Sequence, residues 1–386
     1  MNFNIKSFRK DLKPSIDGRK GTKILVVYHH FPQAPRNGSR NKTRAIFPLK
    51  DLIFGKQINR QATTHPKHLI VSKHKRLALS LSMAQMLQQE LSVIIYCNLL
   101  IKPHIMEQVL EQIRDQQKDA WNKFSPGWKK WDELTMDFLQ PMGDEIIRAL
   151  HLKENDVVLD IAAGTGEPGL TIASKLKNGR VVITDLAEHM LEIARENAAR
   201  RGIQNVETVA CDVCELPFAD NTFDAISCRF GFMFFPDMQL AANEMVRVLK
   251  PGGRMATSVW NVPEKNFWVT AIMGTINRNM ELPPPPPDAP GMFRCAKDQL
   301  IAGLFEKAGL KNISQKEITG KLNCKTTDVY WNMMTEIGAP IVAALSKCDD
   351  AMKEKIKREV FEAVNQKYPS GDVMIESSAL VIYGEK

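Results

Sequence analysis

The chain has no run of about 18 apolar residues, the length a membrane-spanning helix needs. The best candidate, residues 77–101, is interrupted by Gln85, Gln88, Gln89 and Glu90. Seven cysteines in 386 residues are too few and too scattered for a disulfide scaffold of the secreted type. A cytoplasmic protein is therefore expected. No histidine follows His189, so any base in the second half is a carboxylate, a tyrosine or water. Acids are scarce at the start. Residues 1–76 hold only Asp11, Asp17 and Asp51 against 18 Lys or Arg, a local net of +15 in a chain of net +8. Apart from a strand-like KILVVYHHF, this segment has no sustained period and reads as a solvated, poorly ordered arm. Its aromatics are too sparse for a nucleic-acid arm, so no nucleic-acid partner is expected. A transit peptide is Arg-rich and acid-poor, but this stretch is long and Lys-rich. A natural amphipathic first helix begins at Met106, and residues 1–105 read as a basic extension ahead of the domain.

From Met106 onward the pattern is regular. Residues 106–120 are helical, and Trp121, Trp128 and Trp131 follow closely as core or as a lid over a ligand. MGDEIIRALHL is a helix leading into the strand 157–161. Strands are expected at 180–185, 206–212, 223–230 and 253–260, with helices at 167–177, 187–201 and 237–249. Apolar strands with helical crossovers make a parallel α/β sheet covered on both faces. Such sheets bind ligands beyond the carboxyl ends of their strands.

At the end of the first strand Gly164, Gly166 and Gly169 spell G-x-G-x-x-G, the spacing of a dinucleotide loop. A pyrophosphate needs backbone N–H groups and no nearby negative charge. Here Asp160 and Glu167 flank the loop, an arrangement better suited to a cationic ligand without phosphate, such as S-adenosylmethionine. Asp185 ends the second strand and can accept from ribose hydroxyls. Asp212 ends the third, where a carboxylate can accept from an adenine amino group. Lys250-Pro251-Gly252-Gly253 stops a helix before the fifth strand.

LDIAAGTG, TDLAEHML, CDVCELPF, FDAISCRFGFMFF and RVLKPGG occur in an order and spacing that resemble the class I S-adenosylmethionine-dependent methyltransferases, closest to the ubiquinone/menaquinone C-methyltransferase-like small-molecule branch. The resemblance covers roughly residues 115–386. It implies a Rossmann-like, doubly wound, seven-stranded sheet, mostly parallel with an antiparallel last strand. By the same resemblance Asp160, Ala162, Gly164 and Gly166 line the methionine moiety. Asp185 binds ribose, Leu186 and Met190 flank the adenosine, and Asp212 and Val213 face adenine. Arg229 and Phe230 lie near the transferring methyl, with Phe232 in an aromatic-lined acceptor pocket. GFMFFPD is more aromatic than the matching stretch of the quinone enzymes.

Other stretches complete the domain. Residues 297–318 read as a helix, a Gly309 cap and a strand, and SALVIYGEK as the last strand. Two helices near 326–346 and 348–367 form a cap over the acceptor site. Residues 283–293, PPPPPDAPGMF, read as a stiff connector. Trp260, Asn261 and Glu264, after the fifth strand, face the acceptor or pack. Cys211 and Cys214 form a C-x-x-C without a second pair, so no metal is expected.

The function expected is methyl transfer by in-line displacement to a small aromatic or enolisable acceptor; phenols, enols and carbon acids fit better than unactivated alcohols, because a base is needed only for a weakly acidic acceptor. A nicotinamide oxidoreductase rests on the glycine loop alone, and an RNA methyltransferase on the basic arm alone. The stretch CRFGFMFF lacks the Asn/Asp-Pro-Pro-aromatic motif of amino-group RNA enzymes.

Overall fold

The computed structural model describes residues 102–280, 282, 286 and 288–386. The basic arm with KILVVYHHF, residues 77–101 and most of the proline run lie outside the described residues. Among the described residues no helix is long and apolar enough to cross a membrane.

Short β-branched runs make the inner strands. They are β1 (Val157–Ile161), β2 (Arg180–Asp185), β3 (Val206–Ala210), β4 (Phe223–Arg229) and β5 (Leu249–Trp260). These five are parallel, with Asp160 of β1 beside Ile183 of β2 on one side and Ser227 of β4 on the other. Two longer strands, β6 (Lys311–Lys325) and β7 (Val373–Glu385), complete a seven-stranded sheet of order β3-β2-β1-β4-β5-β7-β6. The last strand, β7, runs antiparallel between β5 and β6. The order reverses between β1 and β4, which leaves a crevice beyond their carboxyl ends.

Helices α1 (Lys102–Lys130) and α2 (Asp132–Leu150) precede the sheet. The crossovers are α3 (Gly169–Lys175), α4 (Glu188–Arg200) and α5 (Met238–Val248). Then follow α6 (Phe267–Met280) and α7 (Leu300–Ala308), and, between β6 and β7, α8 (Thr327–Ile337), α9 (Ala339–Leu345) and α10 (Asp350–Lys367). Apolar side chains cover both faces of the sheet. Ile146, Leu170 and Ile172 pack on one, and Met245, Ile272 and Phe305 belong to the core that includes Phe223 and Val259.

Three expectations change. The first helix does not end near residue 120 but continues through Pro126. Proline leaves the Asn122 carbonyl without its helical donor, and the Ser125 hydroxyl donates to that carbonyl at 2.9 Å. The helix also begins upstream of Met106. The first helix of the segment 326–367 is split at Gly338 and Pro340, so three helices replace two. Helix α6 was not foreseen, because its apolar residues follow the fifth strand without a clear start signal.

Candidate active site

The glycine loop is built around two carboxylates. Asp160, at the end of β1, is fully buried. One oxygen accepts from Gly169 N–H at 2.8 Å and the other from the Ser227 hydroxyl at 2.6 Å. A Cβ on Gly169 would lie 2.7 Å from Asp160 Oδ2, so this glycine exists for the close approach. Burial pushes the Asp160 carboxyl up to about 7, against its two hydrogen bonds and the Arg229 charge. Asp160 thus pins β1 to β4 and to the start of α3, and does not face the crevice as the resemblance implied.

Asp185, half-buried at the end of β2, accepts from Gly164 N–H at 2.9 Å and from Ala187 N–H at 2.8 Å. Its pKa is raised by burial, with the backbone donors of Ala187, Gly164 and Leu186 opposing. Gly166 N–H donates to the Ala163 carbonyl at 2.9 Å. All three glycines of the fingerprint therefore spend their N–H groups inside the protein, on Asp185, Ala163 and Asp160. None is left to cradle a pyrophosphate.

Glu167 does not point at the crevice either. It pairs with Arg201 and accepts from Thr171 N–H at 3.1 Å, capping the start of α3. The expectation that it favours a cationic ligand is corrected on this ground. Gly164, with φ +56°, has nothing within 4 Å of the place a Cβ would take. The space beside it is open, and a ligand can lie against this backbone.

Ala162, Leu186, Asp212, Arg229 and Phe230 are half-buried around the same edge. Asp212 holds Cys214 N–H at 2.9 Å and lies 3.7 Å from the Arg114 guanidinium. Val213 and Met190 lie deeper, 7% and 2% exposed. Burial, helped by the Asp212 charge, pushes the Cys211 and Cys214 thiols up to about 12. They stay protonated at neutral pH and are poor ligands and poor nucleophiles.

The aromatic run after β4 divides in two. Phe232 is fully buried against Phe235 and Phe305. It belongs to the core, and its expected place in an acceptor pocket is corrected. Phe230, at φ +60°, stacks on Trp260 at 4.1 Å between centroids. Trp260 stacks in turn on Phe138 of α2 at 5.7 Å. Phe234 takes the edge of Trp121 at 5.2 Å, and Trp121 lies 6.0 Å from Trp128. Asn261 is buried and packs rather than facing the crevice: its amide donates to the Ser378 hydroxyl at 2.9 Å. Glu264 is exposed.

Sequence reasoning missed the part played by α1. Lys118 pairs with Glu188 at 3.2 Å, and His189 N–H donates to the Asn122 side chain at 3.1 Å. With Arg114 at Asp212 and Trp121 at Phe234, one helix crosses the loops after β2, β3 and β4. Arg114 carried no signal in the sequence, since it sits among other charges on an exposed helix.

Comparison with known proteins agrees with this geometry. A family described as Methyltransferase domain matches residues 158–253. A demethylmenaquinone methyltransferase of Bacillus subtilis is 29% identical over 53% of this chain and 86% of its own length. A Listeria monocytogenes protein of the same name is 36% identical over 37% of this chain and 63% of its own length. A ubiquinone/menaquinone biosynthesis C-methyltransferase of Cellvibrio japonicus is 32% identical over 45% of this chain and 74% of its own length. With the sheet order, the glycine loop and these relatives in agreement, the chain belongs to the class I S-adenosylmethionine-dependent methyltransferases.

Proposed function

We propose that the site moves a methyl group to a small acceptor with an aromatic or enolisable ring. The observation that carries this reading is the half-buried Phe230 stacked on Trp260 beside the glycine loop. A planar ring can extend such a stack, at a gain of about 0.5–1.5 kcal/mol beyond area burial. The names of the relatives, demethylmenaquinone methyltransferases, support a ring-bearing acceptor. The Phe-rich stretch no longer argues against a quinone precursor, because Phe232 and Phe235 are core.

The donor set fits S-adenosylmethionine. Gly164 offers open backbone for the amino-acid moiety, with Ala162 beside it. Asp185 retains lone pairs for ribose hydroxyls, and Asp212 stands where the adenine amino group would donate. Leu186, Met190 and Val213 give the base apolar walls. When bound, the cofactor supplies a methyl group on a sulfonium, already activated for displacement. The protein holds donor and acceptor in line and excludes water, a proximity effect of many orders of magnitude. On this reading the helices α8, α9 and α10, inserted between β6 and β7, serve as the cap over the acceptor.

Calorimetry with S-adenosylhomocysteine and with NAD tests the cofactor. The first should bind, and NAD should bind at least about a hundredfold more weakly, the cost of placing a pyrophosphate on a loop with no free glycine donors. Tighter binding of NAD sinks the reading. Labelled methyl donor in a metabolite extract, followed by mass spectrometry of the product, identifies the acceptor.

A further inference from the structure

Every carboxylate at the carboxyl edge of β1, β2 and β3 is already engaged. Asp160 is held by Gly169 and Ser227, Asp185 by Gly164 and Ala187, and Asp212 by Cys214 and Arg114. Glu167 is paired with Arg201. His189 is exposed on α4, beyond the loop. None of these is placed as a free base for an acceptor.

The under-used charge at the site is a cation. Arg229 ends β4 and is half-buried. Its guanidinium makes two long contacts, 3.5 Å to the Leu139 carbonyl and 3.5 Å to Met136 Sδ, both on α2. No carboxylate oxygen lies within ion-pair distance of it among the described residues. The acids that act on it do so from further away: Glu167 in the loop, Asp160 on β1 and Asp132 on α2. A half-buried guanidinium with unspent donors is well placed for an anion that would complete it. The same turn of α2 that receives Arg229 also carries Phe138, which stacks on Trp260 and so on Phe230. The cation and the ring stack therefore lie under one helical turn.

We propose that Arg229 holds the acceptor as its oxyanion, a phenolate or enolate whose ring lies along the half-buried Phe230, with the buried Trp260 behind it. This rests on the methyl-transfer reading above and names the charge state of its acceptor. The acceptor gives its proton to water before transfer. Its nucleophilic atom then forms the bond to the methyl carbon, and the electron pair of the breaking C–S bond stays on sulfur. The negative charge of the acceptor and the positive charge of the sulfonium cancel, and no base acts in that step.

The test uses 4-nitrophenol as a chromophoric probe on the full chain saturated with S-adenosylhomocysteine. Phenolate absorbance across pH gives the ionisation of bound probe, and calorimetry gives its affinity. Bound 4-nitrophenol should ionise at lower pH than free. Arg229→Gln should abolish that shift and weaken the phenolate about ten- to a hundredfold, the worth of a charge-assisted hydrogen bond. Arg229→Lys should restore part of both. Absence of the shift in the native chain overturns the proposal. So does a variant in which S-adenosylhomocysteine weakens while 5′-methylthioadenosine, which lacks the carboxylate, does not: Arg229 then serves the cofactor's carboxylate. Failure of S-adenosylhomocysteine to bind the native chain at all overturns the methyl-transfer reading instead.

Discussion

Asp160 shows how a motif residue can serve the loop without touching a ligand. Its carboxyl is held up to about 7 in the fold, against about 3.9 in an unfolded chain. Between these values the folded state binds the extra proton. This group's contribution therefore favours the fold at low pH and is lost as pH rises from about 4 through about 7. Asp160→Asn keeps the shape, an acceptor for Gly169 N–H and a partner for the Ser227 hydroxyl. Chemical denaturation of both proteins at pH 5 and pH 8 should show a flatter pH dependence in the variant and no loss of stability at pH 8. A variant that unfolds more easily at pH 8 would show that the charged carboxylate is needed. Legibility at this scale was uneven. The positions of Asp160, Asp185 and Gly164 followed from strand ends and a glycine turn. What they bond to did not, because an acid ending a strand looks the same in sequence whether it faces a ligand or the backbone behind it. Phe232 was misplaced for a similar reason: the spacing of Phe230, Phe232, Phe234 and Phe235 does not say where a 3-10 turn rotates each ring.

Helix α1 is the element the sequence describes least well. Ser125-Pro126-Gly127 has the composition of a turn, yet the helix passes through it. Gly127 is needed for contact: a Cβ there would lie 2.4 Å from the Glu336 carbonyl oxygen at the end of α8. The other ties at this end of the helix are mostly polar, beside the packing of Trp121 and Trp128. Lys130 and the Trp131 indole both reach Glu336, at 2.7 and 2.8 Å, and Lys129 pairs with Glu196 at 2.5 Å. Exposed pairs contribute about 0–1 kcal/mol each and weaken in salt. Gly127→Ala should therefore loosen α1 while leaving the sheet intact. Hydrogen exchange should show faster exchange of residues 107–130 in the variant, with the amides of β1 and β4 unchanged. A variant with native protection in α1 would mean that the helix can shift without leaving α8. The alternation of strands and crossover helices was legible because period and length separate them. The bounds of α1 were not, since its continuation depends on a contact with a helix some 200 residues away in sequence.

The whole molecule depends on its final strand. β7 pairs with β5 along Arg254–Trp260 and with β6 along most of its length. Buried polar groups fix it further. The Asn266 amide donates to the carbonyls of Asn261, Val262 and Ser378, and its oxygen accepts from Ser378 N–H and the Trp268 indole. Ser378 also donates to Glu317 at 2.7 Å. Removing the chain from Val373 onward should leave β6 without a strand partner and β5 paired only with β4, and circular dichroism should show loss of the cooperative thermal transition. A truncated chain that melts like the full one would mean that β1 to β5 form an independent unit. The antiparallel place of this strand was expected from the family resemblance, since no local pattern distinguishes a strand inserted between two others from one added at an edge. The insertion also has a temporal meaning. A ribosome delivers β6 before β7, so neither β6 nor the open edge of β5 has its neighbour when it emerges. Both edges are filled only once β7 has left the exit tunnel. Until then the nascent chain is open to chaperones and to pairing with other chains.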